Sequence, residues 1–144
     1  MNMRTTVLAT CAMAMLWAGC DGSSDGMATT ASVAGTLTLP GTATSPYFVR
    51  LLTTAGAGAT TAAETTGTTN GTTALAYSIP DVPAGTYFML AGVDVDSSGG
   101  DSSTTGDYRG WYGHAGDGNP PAAPNVVVPA SGTVTIDYSL VVAP

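Results

Sequence analysis

Apolar and polar residues alternate with a period of two over most of the chain beyond residue 31. In residues 32–39, Val33, Gly35, Leu37 and Leu39 fall on one face and Ala34, Thr36 and Thr38 on the other. This is the spacing of a half-buried strand, and Pro40-Gly41 ends it. Residues 47–53 predict a second strand, with Phe48, Arg50 and Leu52 on one side and Tyr47, Val49 and Leu51 on the other. The Thr-, Ala- and Gly-rich stretch 54–73 predicts a weak edge strand near 60–66 and a hairpin-type turn at Asn70-Gly71. Residues 73–79 alternate again through Leu75, Tyr77 and Ile79, and the Pro-Asp-Val-Pro-Ala-Gly run at 80–85 reads as a turn. Residues 86–95 are apolar on both faces, Tyr87, Met89, Ala91 and Val93 against Phe88, Leu90 and Gly92. That pattern predicts a central strand or one covered by a second layer. A loop of about thirty residues follows, longer than a compact domain usually holds without a functional reason. Residues 125–128 and 133–142 complete the set, the last alternating through Val134, Ile136, Tyr138, Leu140 and Val142. Seven strands without helical periodicity predict an all-β fold, a single antiparallel β-sandwich over residues 32–144.

The first thirty residues follow different rules. Residues 1–6 carry Arg4, residues 7–16 are apolar, and Trp17-Ala18-Gly19-Cys20 follows, the order of a secretory signal. The apolar run is about half of the roughly 20 residues that a spanning helix needs. Ala18-Gly19-Cys20 resembles the lipobox of bacterial lipoproteins, in which the leader is cut before the cysteine and the thiol is acylated. It departs from the usual pattern in placing Trp17 where leucine is favoured, with Leu16 one position early. The resemblance implies a leader over residues 1–19, lipidation at Cys20, and a flexible tether over residues 20–31 on the extracytoplasmic side of a membrane. Ordinary secretion with a free Cys20 is the alternative. Asp21 is similar to an inner-membrane retention signal of enteric lipoproteins, and the choice of inner or outer membrane stays open.

Charge narrows the partners. The chain has three basic residues against ten acids, a formal charge of −7. Without Arg4, two arginines face the ten acids, a formal charge of −8, and there is no lysine. Such a surface argues against nucleic acid and anionic lipid as binding partners and suits cations. Cys11 lies in the leader, so Cys20 has no second thiol in the mature chain.

Two clusters in the long loop carry candidate chemistry. Asp94-Val95-Asp96-Ser97-Ser98-Gly99 resembles the start of a calcium loop, with oxygen donors at alternate positions and a glycine for the turn. Asp94, Asp96, Ser98, Asp101 and Asp107 are the candidate ligands, the later aspartates standing in because Thr105 occupies the twelfth position, where a bidentate glutamate is expected. A plain solvated acidic loop is the competing reading. In residues 108–114, Arg109, Trp111 and Tyr112 are candidates for stacking on and hydrogen-bonding a sugar. The alternative is that Trp111 and Tyr112 cap an open end of the sandwich. His114 is the lone histidine, which argues against zinc. No nucleophile elbow or phosphate loop is present. A hydrolase built on paired carboxylates is the least favoured reading.

Asn70-Gly71, Tyr77-Ser78-Ile79 and Val82-Pro83-Ala84-Gly85-Thr86-Tyr87, with the opening Gly35-Thr36-Leu37, resemble the signature of carboxypeptidase regulatory-like, or transthyretin-like, β-sandwich domains. The resemblance covers roughly residues 32–95. It implies an accessory module with a structural, adhesive, or glycan- or protein-binding role, and no catalysis of its own.

Overall fold

The computed structural model describes residues 30–99, 104–114, 116 and 118–144. The described residues form an all-β sandwich with no helix. Its strands are β1 (Thr30–Thr38), β2 (Pro46–Leu52), β3 (Thr61–Thr68), β4 (Ala74–Pro83), β5 (Gly85–Val93), β6 (Tyr108–Trp111), β7 (Val126–Val128), β8 (Thr133–Thr135), β9 (Tyr138–Ser139) and β10 (Val141–Val142). One sheet has the order β4-β1-β8, with β9 also on β1; the other runs β10-β6-β5-β2-β3, with β7 also on β5.

The period of two explains the core. Val33 and Leu37 of β1 and Leu75, Tyr77, Ile79 and Val82 of β4 meet Val49 and Leu51 of β2 and Tyr87, Met89, Ala91 and Val93 of β5. Each such aliphatic side chain, fully buried, contributes about 1.5–3 kcal/mol. The opposite face of the second sheet carries a smaller cluster of Leu52, Phe88, Leu90 and Trp111, with Phe48 and Ala55 against it. This is why β5 reads as apolar on both sides. It pairs with β2 along one edge and with β7 and then β6 along the other.

The structure corrects five expectations. The described residues hold ten strands where seven were expected, because the segment 133–142 is not one strand and the long loop contains β6. The sheets are not wholly antiparallel: β8 and β9 run parallel to β1, a direction that residue periodicity does not encode. The turn expected over residues 80–85 contracts to Ala84, since β4 continues to Pro83. A bulge makes this possible: the β1–β4 register shifts between Ala31 and Val33, and Asp81 adopts a φ of 56°. Val82 then returns to the core, and the Tyr87 hydroxyl donates to the Pro83 carbonyl at 2.9 Å to close the corner. Asn70-Gly71 makes no hairpin within a sheet; it carries the chain from β3 in one sheet to β4 in the other. The buried Thr69 fixes this crossing, accepting from the Ser45 amide (3.0 Å) and donating to the Ala43 carbonyl (2.6 Å). Finally, β1 begins at Thr30, inside the stretch expected to be tether.

The break between β8 and β9 has a local cause. Ile136 turns its side chain into the core and donates its amide to the Ala34 carbonyl at 2.8 Å. Its own carbonyl lies against Gly35, where a Cβ would collide with it, and accepts the Tyr77 hydroxyl at 2.7 Å. The Asp137 carboxylate then takes the place of a backbone acceptor, receiving the Thr36 amide at 2.7 Å. Burial, and after it the Asp137 carboxylate, push Tyr77 well above the usual tyrosine range; burial does the same to Tyr138. Past Leu140 the chain changes sheets to form β10, passing close over Gly110 of β6.

Replacing Gly35 with alanine is expected to destabilise the fold by about 1–3 kcal/mol, as overpacking of a filled site does. Urea denaturation of Gly35→Ala checks this; an unchanged midpoint would show that the Ile136 segment gives way freely.

Candidate metal centre

Two ladder partners define the centre. Val93, the last residue of β5, is in register with Tyr108, the first of β6. One step outward along an antiparallel pair, Asp94 and Asp107 therefore face each other at the mouth of the two strands. Asp96 lies two residues farther on, and the chain curls back through Ser97 and Gly99, both at positive φ (56° and 86°). The carboxylates of Asp94, Asp96 and Asp107 offer oxygen atoms that all lie within 4.8 Å of one another.

The three sites differ in environment. Asp107 is buried, Asp94 is half-buried and Asp96 is exposed. Asp107 accepts the Val95 amide at 2.8 Å through Oδ1, and the Thr104 amide at 2.8 Å and hydroxyl at 3.1 Å through Oδ2. Asp94 accepts the amides of Ser98 (3.1 Å) and Gly99 (3.0 Å). Asp96 accepts the Ser98 amide at 2.9 Å and the Thr104 hydroxyl at 3.2 Å. Hydrogen bonds from the Ser98 hydroxyl and then its amide hold Asp96 below the usual carboxylate range. The charged form is thus favoured where like charges crowd. Charged carboxylates whose oxygens lie within 4.8 Å of one another repel. A cation placed among them converts this repulsion into attraction, and the donors are all hard oxygens. The three aspartates can hold a metal ion.

The structure brings together Asp94, Asp96, Asp107 and Ser98 from the sequence-derived set. Asp101 and Cys20 lie outside the described residues. Thr104, absent from that set, bridges two of the carboxylates; its hydroxyl also lies 3.3 Å from that of Ser98. No motif singles it out from Thr105 beside it, whose hydroxyl turns away to the Pro144 carbonyl (2.8 Å).

Arg109, Trp111 and Tyr112 do not form one exposed platform. Arg109 and Trp111 share the outer face of β6 through their pairing with Gly92 and Leu90. Trp111 is only 4% exposed, packed among Leu52, Phe88 and Leu90, so its ring faces are taken up by protein. Tyr112 packs on the inner core and meets Tyr138 edge-on, with ring centroids 5.8 Å apart at 70°. The exposed part of that outer face instead carries Arg50, which lies 4.6 Å over the Phe48 ring and pairs with Glu64 at 2.8 Å.

No family model, curated protein or solved structure matches the chain.

In chelator, Asp107→Ala is expected to cost about 1–3 kcal/mol, since it strands the Val95 and Thr104 amides. Asp96→Ala, at an exposed position, should leave the urea midpoint nearly unchanged. Urea midpoints of the two variants compare them directly, and the reverse order would refute this division of labour.

Proposed function

We propose that the chain is a non-enzymatic, lipid-anchored module of the bacterial cell envelope whose β-sandwich is stiffened by calcium at Asp94, Asp96 and Asp107. The observation that carries the proposal is the register of β5 and β6, which sets Asp94 opposite Asp107 with Asp96 alongside. Calcium is the ion of choice because it takes carboxylate, hydroxyl, carbonyl and water oxygens in a flexible shell. Magnesium demands a stricter octahedron and gives up its waters reluctantly. Asp94, Asp96, Asp107 and the Ser98 and Thr104 hydroxyls supply the protein oxygens. The expected affinity is about 10⁻⁴–10⁻³ M, as in other extracellular modules.

The work of the ion in this reading is structural. Asp107 leads into β6, and its backbone accepts the Ala143 amide at 2.7 Å while Gly106 donates to the Ala143 carbonyl at 3.0 Å. An ion that joins Asp107 to the end of β5 secures the start of β6 and, through these bonds, the closing strand β10. The non-enzymatic reading is supported by what the carboxylates do: each is engaged with backbone amides of its own loop. The burial of Trp111 favours a packing role for the aromatic segment over glycan stacking. The corner at Val82-Pro83-Ala84-Gly85-Thr86-Tyr87 supports placing the sandwich with the carboxypeptidase regulatory-like, or transthyretin-like, domains. The leader and Cys20 support the envelope address, with a larger envelope protein as the natural partner.

Calcium at about ten times its dissociation constant should raise Tm by about 3–6 °C. The Asp94→Ala/Asp96→Ala double variant should lose the rise, and magnesium should give a smaller one. A flat response of the native chain to millimolar calcium, or an equal rise in the double variant, would refute the metal reading. For the anchor, Cys20→Ser expressed in a Gram-negative host should move the chain from the detergent-soluble membrane fraction to the aqueous one. Unchanged partition would remove lipidation at Cys20.

A further inference from the structure

The first sheet contains a feature that neither the metal centre nor the anchor uses. Its central strand, β1, is antiparallel to β4 but parallel to β8 and β9. Since these strands run the same way, the chain enters β1 at one end of the ladder, at Thr30, and leaves β9 at the other, at Ser139. Tension between the two sides of the domain is then directed along the strands. The bonds that resist it are spread over the ladder: Ser32 amide to Gly132 carbonyl (2.9 Å), Ile136 amide to Ala34 carbonyl (2.8 Å), Thr36 amide to Asp137 carboxylate (2.7 Å) and Leu140 amide to Thr38 carbonyl (2.9 Å). Loaded in shear, these bonds must yield together. In a pair pulled apart from one end they yield one at a time.

Sliding is blocked as well. The Ile136 carbonyl is seated at Gly35, where a Cβ would collide with it. A shift of one residue in either direction would put Ala34 or Thr36, each with a Cβ, in that place, and would turn buried Ile136 and Leu140 away from the core. The Tyr77 hydroxyl of β4 holds the same carbonyl at 2.7 Å, tying β4 to the β8–β9 junction beside β1. Beyond β9, β10 is paired to β6, and Ala143 is clamped by Gly106 and Asp107, so the far end is held in the second sheet.

We infer that the domain is a mechanical clamp: traction between the N-terminal side of β1 and the C-terminal side of β9 is borne in shear by the β1–β8–β9 ladder. This gives the module a load-bearing function, a link that transmits pull without opening. The inference rests on strand direction and on the Gly35–Ile136 seat, independently of any cation or lipid.

Single-molecule force spectroscopy on the full chain tests it, with Cys11→Ser and Cys20→Ser background changes and chelator present. Chelator separates the result from the calcium reading. A handle at the N-terminal end and one at Ser139→Cys, the last residue of β9, load the ladder in shear. A handle at the N-terminal end and one at Pro83→Cys peel β1 from β4, because Thr30 and Pro83 are register partners. The shear geometry should require a severalfold larger unfolding force than the peeling geometry. Asp137→Ala should lower the shear force and leave the peeling force unchanged, whereas Asp137→Asn, which keeps the acceptor oxygen, should retain the native shear force. Equal forces for the native domain in the two geometries would overturn the clamp. Asp137→Ala with an undiminished shear force would overturn the placement of the lock at the Thr36–Asp137 bond.

Discussion

Strand β5 has to be covered on both faces and both edges, because Tyr87, Met89, Ala91 and Val93 point one way and Phe88 and Leu90 the other. A strand with this composition left at an edge, or with one face open, would expose a large apolar surface and a row of unpaired amides. The inner face is met by β1 and β4 across the sandwich. The outer face is met by Leu52 and by Trp111, and Trp111 arrives only because β6 pairs with β5. That pairing sets Asp107 against Asp94. The acidic centre is therefore a geometric result of covering β5: the same register that lays Trp111 beside Leu90 brings the carboxylates together.

Much of this was legible in the alternation of side chains. The strands β1, β2, β4 and β5 follow from Val33/Leu37, Val49/Leu51, Leu75/Tyr77/Ile79 and Tyr87/Met89/Ala91/Val93, and the double-sided apolar pattern of β5 correctly marks it as central. The carboxylates of Asp94 and Asp96 and the hydroxyl of Ser98 were legible too, since donors at alternate positions leaving a strand share a side.

What was not legible depends on long-range pairing. β6 is four residues with a glycine in its middle, too short for its alternation to stand out from loop. Without β6 nothing in the sequence singles out Asp107 as the partner of Asp94. The segment 133–142 keeps an unbroken alternation even though the chain breaks at Ile136-Asp137 and changes sheets at Leu140. The break is caused by Gly35 and Tyr77, about a hundred and about sixty residues earlier in the chain, each on a strand whose neighbour the local pattern does not specify. The continuation of β4 through Pro80 and Pro83 was hidden for a related reason. Prolines mark turns by default, and an edge strand with a bulge at Asp81 is one setting that tolerates them.

The placement of the two arginines has a consequence for how the domain resists proteases. With no lysine in the chain, a protease that cuts after basic residues finds, beyond Arg4, only Arg50 and Arg109. Arg50 sits inside β2, flanked by β3 and β5, and Arg109 sits inside β6, flanked by β5 and β10. A protease must draw its substrate out as a free extended segment, so neither bond is open to cleavage until the second sheet comes apart. The long Thr-, Gly- and Asp-rich connections, the usual weak points of a β-domain, offer such an enzyme nothing to recognise.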